Sequence, residues 1–164
     1  MQPIKNRSCI LLVFILLASI TGFSQLSDDF SDGDFTLNPI WSGDKPLFRV
    51  NENFQLQSNG QSVSETIYLS TPQSLGTNVE WLIDINMAFA PSGSNKSRVY
   101  LISDQAVLSG PLNGYFIEIG ESGSSDGINL FRQDGTDEVE IIDGSEPIAG
   151  GGLDAIIRVI RDGD

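Results

Sequence analysis

The chain has 164 residues, with 22 acidic and nine basic side chains, a formal charge of −13, no histidine and one cysteine, Cys9. The lack of histidine, and of cysteine beyond Cys9, excludes Ser-His-Asp and Cys-His nucleophiles, His/Cys zinc sites and haem ligation. The acidity argues against nucleic acid as a partner, because binding to phosphate is driven largely by Lys and Arg displacing counterions.

The first segment, residues 1–24, reads as a secretory signal peptide. Lys5 and Arg7 precede an almost unbroken apolar run from Cys9 to Ile20, and Gly22-Phe23-Ser24 places small residues two apart before Gln25. The run is too short for a membrane span, which needs about 20 apolar residues. Cys9 stands ahead of it, away from the cleavage site where a lipid-bearing cysteine would sit. Removal of this segment leaves no expected membrane span, and places the protein outside the cell or at its surface. It leaves seven basic residues against 22 acidic ones, a charge of −15. Residues 25–164 are enough for one domain that buries roughly two-thirds of its unfolded surface. With no cysteine it has no disulfides, so packing or a bound metal must stabilise it.

The mature chain opens with four carboxylates in seven residues, Asp28, Asp29, Asp32 and Asp34, around Phe30, Phe35 and Trp41. Such acids repel one another unless solvated or shared by a cation, which makes them candidate calcium ligands with Gly33 at a bend. The spacing is not that of an EF-hand, since Ile40 stands where its last acidic ligand belongs. The other reading is a solvated acidic segment that anchors Phe30 and Trp41.

Short strands are expected at Leu47–Val50, Phe54–Gln57 and Thr66–Leu69, separated by turns at Asn51-Glu52-Asn53 and Ser58-Asn59-Gly60. From Val79 to Phe89 the apolar residues alternate, with Val79, Trp81, Ile83, Ile85, Met87 and Phe89 on one face and Glu80, Asp84 and Asn86 on the other. That period predicts a long strand with one buried face, and makes Trp81 a core residue instead of a ligand platform. Next, Val99–Ser103, Tyr115–Ile119 and Ile128–Arg132 form an antiparallel meander, rich in β-branched and aromatic residues between polar turns. A helical turn is expected around Asp104 to Leu108. Asp134-Gly135 signals a turn, followed by strands at Glu138–Asp143 and Ala155–Arg161. Asp162-Gly163 is a hairpin signal with no returning strand, so the chain reads as a fragment cut inside a sheet, with an exposed apolar edge prone to association. The pattern as a whole predicts an all-β fold, a two-sheet antiparallel sandwich.

The segments DDFSDGDFTLNPIWSGD, YLSTP at Tyr68 to Pro72, Arg98 to Gly135 and the closing RVIRD resemble the N-terminal domain of secreted bacterial proteins that carry a lamin tail domain further along. The resemblance spans about Asp28 to Asp164, and its most specific part is Arg98 to Gly135. It implies a jelly roll similar to laminin G and concanavalin A-like domains, completed by strands after Asp164, with downstream domains of the same polypeptide. It also implies an extracellular or envelope location and a part in adhesion or glycan recognition. No catalytic residue carries over from it.

Without His and Cys, the remaining enzymatic option is glycoside hydrolysis by a carboxylate pair. Glu80 and Asp84 share a strand face but lie roughly 13 Å apart along the backbone, and Glu118 and Glu121 have opposite parity. A non-catalytic module is therefore expected. Its glycan-binding surface would combine Arg98, Tyr100 and Asp104 with Phe116 and Glu118, and with Asn129, Phe131 and Gln133, if neighbouring strands bring them together. The alternatives are that Tyr100, Phe116 and Phe131 fill the core, and that the domain is a structural spacer or binds another surface protein.

Overall fold

The computed structural model describes residues 25–61, 63–121, 127–144 and 151–163; the expected signal peptide lies outside them. The described residues form strands β1 (Ser42–Gly43), β2 (Phe48–Val50), β3 (Leu56–Ser58), β4 (Leu69–Ser70), β5 (Val79–Met87), β6 (Ser97–Ser103), β7 (Leu112–Ile119), β8 (Ile128–Gly135), β9 (Asp137–Ile142) and β10 (Leu153–Arg161). The architecture is all-β, and every paired strand is antiparallel, as in an all-β sandwich. No helix among the described residues is long and apolar enough to cross a membrane.

Strands β6 to β9 form one meander, in spatial order β6-β7-β8-β9. The Asp134-Gly135 signal is a tight hairpin: Asp134 pairs with Asp137, and Gly135 takes the positive φ (65°) that glycine tolerates without steric cost. The helical turn expected at Asp104 to Leu108 does not form. Instead Asp104 extends the β6–β7 pairing, its N–H donating to the Asn113 carbonyl (3.0 Å). The observed 3-10 turn is Lys45–Leu47, where Pro46 supplies a suitable φ near the helix start.

The most deeply buried apolar side chains concentrate on and beside β7: Leu112, Phe116, Ile117 and Ile119, with Leu101 from β6 and Met87 from β5. Hydrophobic burial is the main stabilising term, so this meander is where the fold is anchored. Strand β5 pairs with the distant β10 over nine residues, Val79 opposite Arg161 through Met87 opposite Leu153. Trp81 lies half-buried on the covered face with Ile83 and Ile85, while Leu82 on the other face is exposed. Phe89, expected to continue the buried stripe, falls beyond the end of β5 and is exposed.

Strand β6 carries the irregularity that decides which residues meet. Tyr100 faces Phe116, but the next pair is Ile102 with Tyr115, so Leu101 is an inserted residue in a bulge. The insertion reverses the facing of everything after it. At this shift Gly114 sits against the Ile102 carbonyl, where a Cβ would overlap the oxygen.

Candidate functional site

The sheet does bring most of the sequence-predicted ligand residues together. Tyr100, Phe116 and Phe131 stand in one cross-strand row, and Arg98, Glu118 and Asn129 form the adjacent one. The Phe116 and Phe131 rings stack with centroids 5.2 Å apart at 6°, and Tyr100 leans against Phe116 at 5.0 Å. The centre of this face is closed, however. Phe116 is 0% exposed, Glu118, Asn129 and Gln133 are buried, and the Arg98 guanidinium lies 4.4 Å from the Phe116 ring centroid.

The polar groups around Phe116 are satisfied by one another. Arg98 donates through Nε to Glu118 Oε2 (2.6 Å) and through both terminal nitrogens to Glu138 (2.6 and 2.8 Å). Lys96 donates to the other Glu118 oxygen (2.9 Å). Tyr100 donates its hydroxyl to Gln133 Oε1, and Gln133 Nε2 donates to the Gly135 carbonyl. Asn129 Nδ2 approaches Glu121 at 3.4 Å, while Asn129 Oδ1 accepts from the Gly144 N–H. Burial works against the Arg98 charge, but hydrogen bonds and Coulombic attraction from Glu138 and Glu118 outweigh it, raising its pKa above the ordinary arginine value. Burial likewise pushes the Tyr100 phenol up. These are the properties of a packed polar network and not of an open sugar platform.

Asp104 is the exception to the predicted grouping. The Leu101 bulge moves it away from Arg98 and Tyr100 to the side of Asn113 and Tyr115, whose registers follow the shift. The four N-terminal acids do not form the expected calcium cluster, and no group of three or more potential ligands converges among the described residues. Each carboxylate turns back on the chain two residues ahead: Asp28 accepts from Phe30 N–H, Asp29 from Ser31, Asp32 from Asp34 and Asp34 from Thr36. Asp28 also accepts from Trp41 Nε1 at 2.7 Å, so it anchors the tryptophan. Of the candidate hydrolytic pairs, Glu80 is held below the usual carboxylate range by hydrogen bonds from Arg158 (2.9 and 3.0 Å), and in the Glu118–Glu121 pair Glu118 accepts from Lys96 and Arg98.

The opposite face of the same sheet offers the open surface. Ile102, Tyr115, Arg132 and Val139 form a row across all four strands, and all are exposed. Tyr115 is 42% exposed, and its hydroxyl has no hydrogen-bond partner among the described residues. Beside this row lies a shallow depression of about 280 Å³ lined by Ile102, Asp104, Asn113, Tyr115, Arg132 and Asp134, among others. Asp104 accepts from the Asn113 N–H and Nδ2 (both 2.8 Å), Asn113 Oδ1 accepts from Gly135 N–H (3.1 Å), and Arg132 pairs with Asp134 (2.9 Å). Sequence reasoning passed over Tyr115 because strict alternation put it opposite the larger aromatic set. The available signal was the alternation itself, which leaves Tyr115 and Arg132 on the face away from Phe116.

Asp104 makes this end of the sheet acid-sensitive. The Asn113 backbone N–H, then its side-chain amide, holds the Asp104 carboxyl below the usual range. A lowered folded-state pKa gives stabilisation that is present above the unfolded value, about 3.9, and is lost as pH falls through the folded one. Thermal melts from pH 6 to 2.5 are expected to show an acid-side loss that is shallower in Asp104→Asn, whose melting point already starts lower at pH 6. An identical pH slope in the two proteins would remove Asp104 from this account.

No family model matches this chain, nor does any curated protein or solved structure compared with it.

Proposed function

We propose that the chain is a secreted, non-catalytic, lectin-like jelly-roll module that binds glycan, or another ligand displayed on a surface, within a larger adhesion-type protein. The observation that carries this reading is the half-exposed Tyr115 ring with its free hydroxyl, set between Ile102 and Arg132 and next to the Asp104–Asn113 pair. A sugar needs an apolar ring face for its C–H surface and planar polar groups for its hydroxyls, and this row supplies both. The resemblance of Arg98 to Gly135 to the N-terminal, laminin G-like domain of secreted bacterial lamin tail proteins supports the same class. The depression is small and open, which suits weak recognition of a few sugar residues more than deep enclosure. The closed network around Arg98 favours a second reading, a structural spacer or protein-interaction sandwich whose polar face is purely architectural.

A glycan array followed by titration of the full chain, in calcium and in chelator, separates these readings. Binding is expected to fall by about 2 kcal/mol, roughly thirtyfold, in Tyr115→Ala, and to persist in Tyr100→Phe, which keeps the ring in the network. Binding lost only in chelator would return calcium to the site. No binding by folded protein in either condition would leave the spacer reading in its place.

A further inference from the structure

We infer that Asn59 is a site of spontaneous modification, where the Gly60 nitrogen closes a ring on the Asn59 side chain and leaves aspartate and isoaspartate in place of the amide. The reaction needs an asparagine followed by an unhindered main-chain nitrogen, and glycine, with no Cβ, hinders it least. Asn-Gly occurs twice in the chain, at Asn59-Gly60 and at Asn113-Gly114. The fold treats the two oppositely.

Asn59 and Gly60 are both exposed, in irregular backbone that follows β3. The Asn59 main chain is tied down, its N–H donating to the Leu47 carbonyl (2.7 Å). Its side-chain amide has no hydrogen-bond partner among the described residues, so nothing among them holds Cγ away from the Gly60 nitrogen. The Gly60 N–H makes no main-chain hydrogen bond among those residues either, and a base in solvent can take its proton.

Asn113 is fixed at both ends of its amide. Nδ2 donates to Asp104 Oδ2 (2.8 Å), and Oδ1 accepts from the Gly135 N–H (3.1 Å). Its own N–H donates to Asp104 Oδ1, and its carbonyl accepts from the Asp104 N–H. Gly114 lies inside β7, paired with Ser103 on one side and Gln133 on the other. Reacting atoms must approach to about 3 to 3.5 Å with aligned orbitals, and Asn113 reaches that geometry only by breaking these contacts.

In the step itself the Gly60 nitrogen, having lost its proton to base, bonds to Asn59 Cγ. The bond from Cγ to Nδ2 breaks, and Nδ2 takes a proton from water and leaves as ammonia. A second water opens the ring at either carbonyl, giving aspartate or an isoaspartate whose main chain runs through the former side chain. A neutral amide becomes a carboxylate next to Gly60, against which the Glu65 carboxylate already lies. The iso form also adds a methylene to the backbone just past the Phe48–Ser58 pair that ends the β2–β3 ladder.

Peptide mapping by mass spectrometry of the full chain, aged at mildly alkaline pH in water labelled with heavy oxygen, tests the assignment. Asn59 is expected to lose its amide, gain one labelled oxygen and separate into aspartate and isoaspartate peptides, faster as pH rises. Asn113 should convert roughly a hundredfold more slowly, the order of penalty for reacting atoms held out of attack geometry. In denaturant the two sites should convert at similar rates, since the dipeptides are the same. Gly60→Ala should abolish conversion at Asn59: the backbone there is outside the left-handed region, and the added Cβ meets only the end of the flexible Glu65 side chain (3.0 Å). Far-UV circular dichroism checks that this variant is folded. An Asn59 amide that survives ageing, equal rates at the two sites in folded protein, a difference that persists in denaturant, or unchanged conversion in folded Gly60→Ala would each overturn the proposal.

Discussion

Phe116→Ala is expected to lower stability by about 3 to 5 kcal/mol, the usual cost of emptying a fully buried aromatic site. Phe116 has no exposed surface and is held on three sides, by Phe131 in a stacked contact, by Tyr100 in a tilted one and by the Arg98 guanidinium. Truncation leaves the other three groups around a void, so the dispersion and aromatic contacts are lost together with the burial. Against a typical total of about 5 to 15 kcal/mol, that loss brings a domain of this size near its folding threshold. Urea unfolding monitored by tryptophan fluorescence measures it directly: the midpoint should fall sharply with the slope unchanged. The same variant also tests the sequence-based expectation of a sugar platform. If Phe116 were a platform, the substitution would abolish ligand binding and leave the midpoint intact.

The fold was largely legible because strand periodicity is a local property. Val79 to Met87 alternates cleanly, and the structure covers the odd-numbered face. The meander was legible for the same reason, together with its turn residues. The site was less legible, because facing across a sheet depends on register, and register depends on single insertions. Strict alternation groups Arg98, Tyr100 and Asp104, yet the extra Leu101 separates the third from the first two. No feature of RVYLISD marks Leu101 as the inserted residue; Gly114, on the partner strand, is the side chain whose absence permits it. The polar network was hidden for a related reason. Arg98 and Glu138 lie 40 positions apart, and only the four-stranded meander brings β9 close enough to answer β6. The N-terminal acids show the limit of composition: a local excess of Asp reads equally as ligands or as turns, and backbone geometry spends each one on its own turn.

Arg98→Met should destabilise the domain by about 2 to 4 kcal/mol, while removing both Arg98 and Glu118 should cost distinctly less than the two single changes added together. Methionine retains much of the arginine stem that packs on Phe116, so the substitution mainly withdraws charge and hydrogen bonds. Glu118, with only 9% of its side chain exposed, then keeps Lys96 as its one cation. Removing one partner of a buried pair commonly costs about 3 to 5 kcal/mol, because the survivor is left desolvated; the residual Lys96 contact moves the expectation somewhat lower. Glu138, one-third exposed, can turn to water, so Glu138→Gln should cost under about 1 kcal/mol. Arg98→Lys should fall between, since an ammonium on a flexible stem cannot span Glu118 and Glu138 with a planar fork. In Arg98→Met/Glu118→Met no buried carboxylate remains uncompensated, and the difference from additivity isolates the coupling between the two groups. Strict additivity in denaturant unfolding would show instead that Arg98 acts only as a lid on Phe116, and that Glu118 is carried by Lys96 alone.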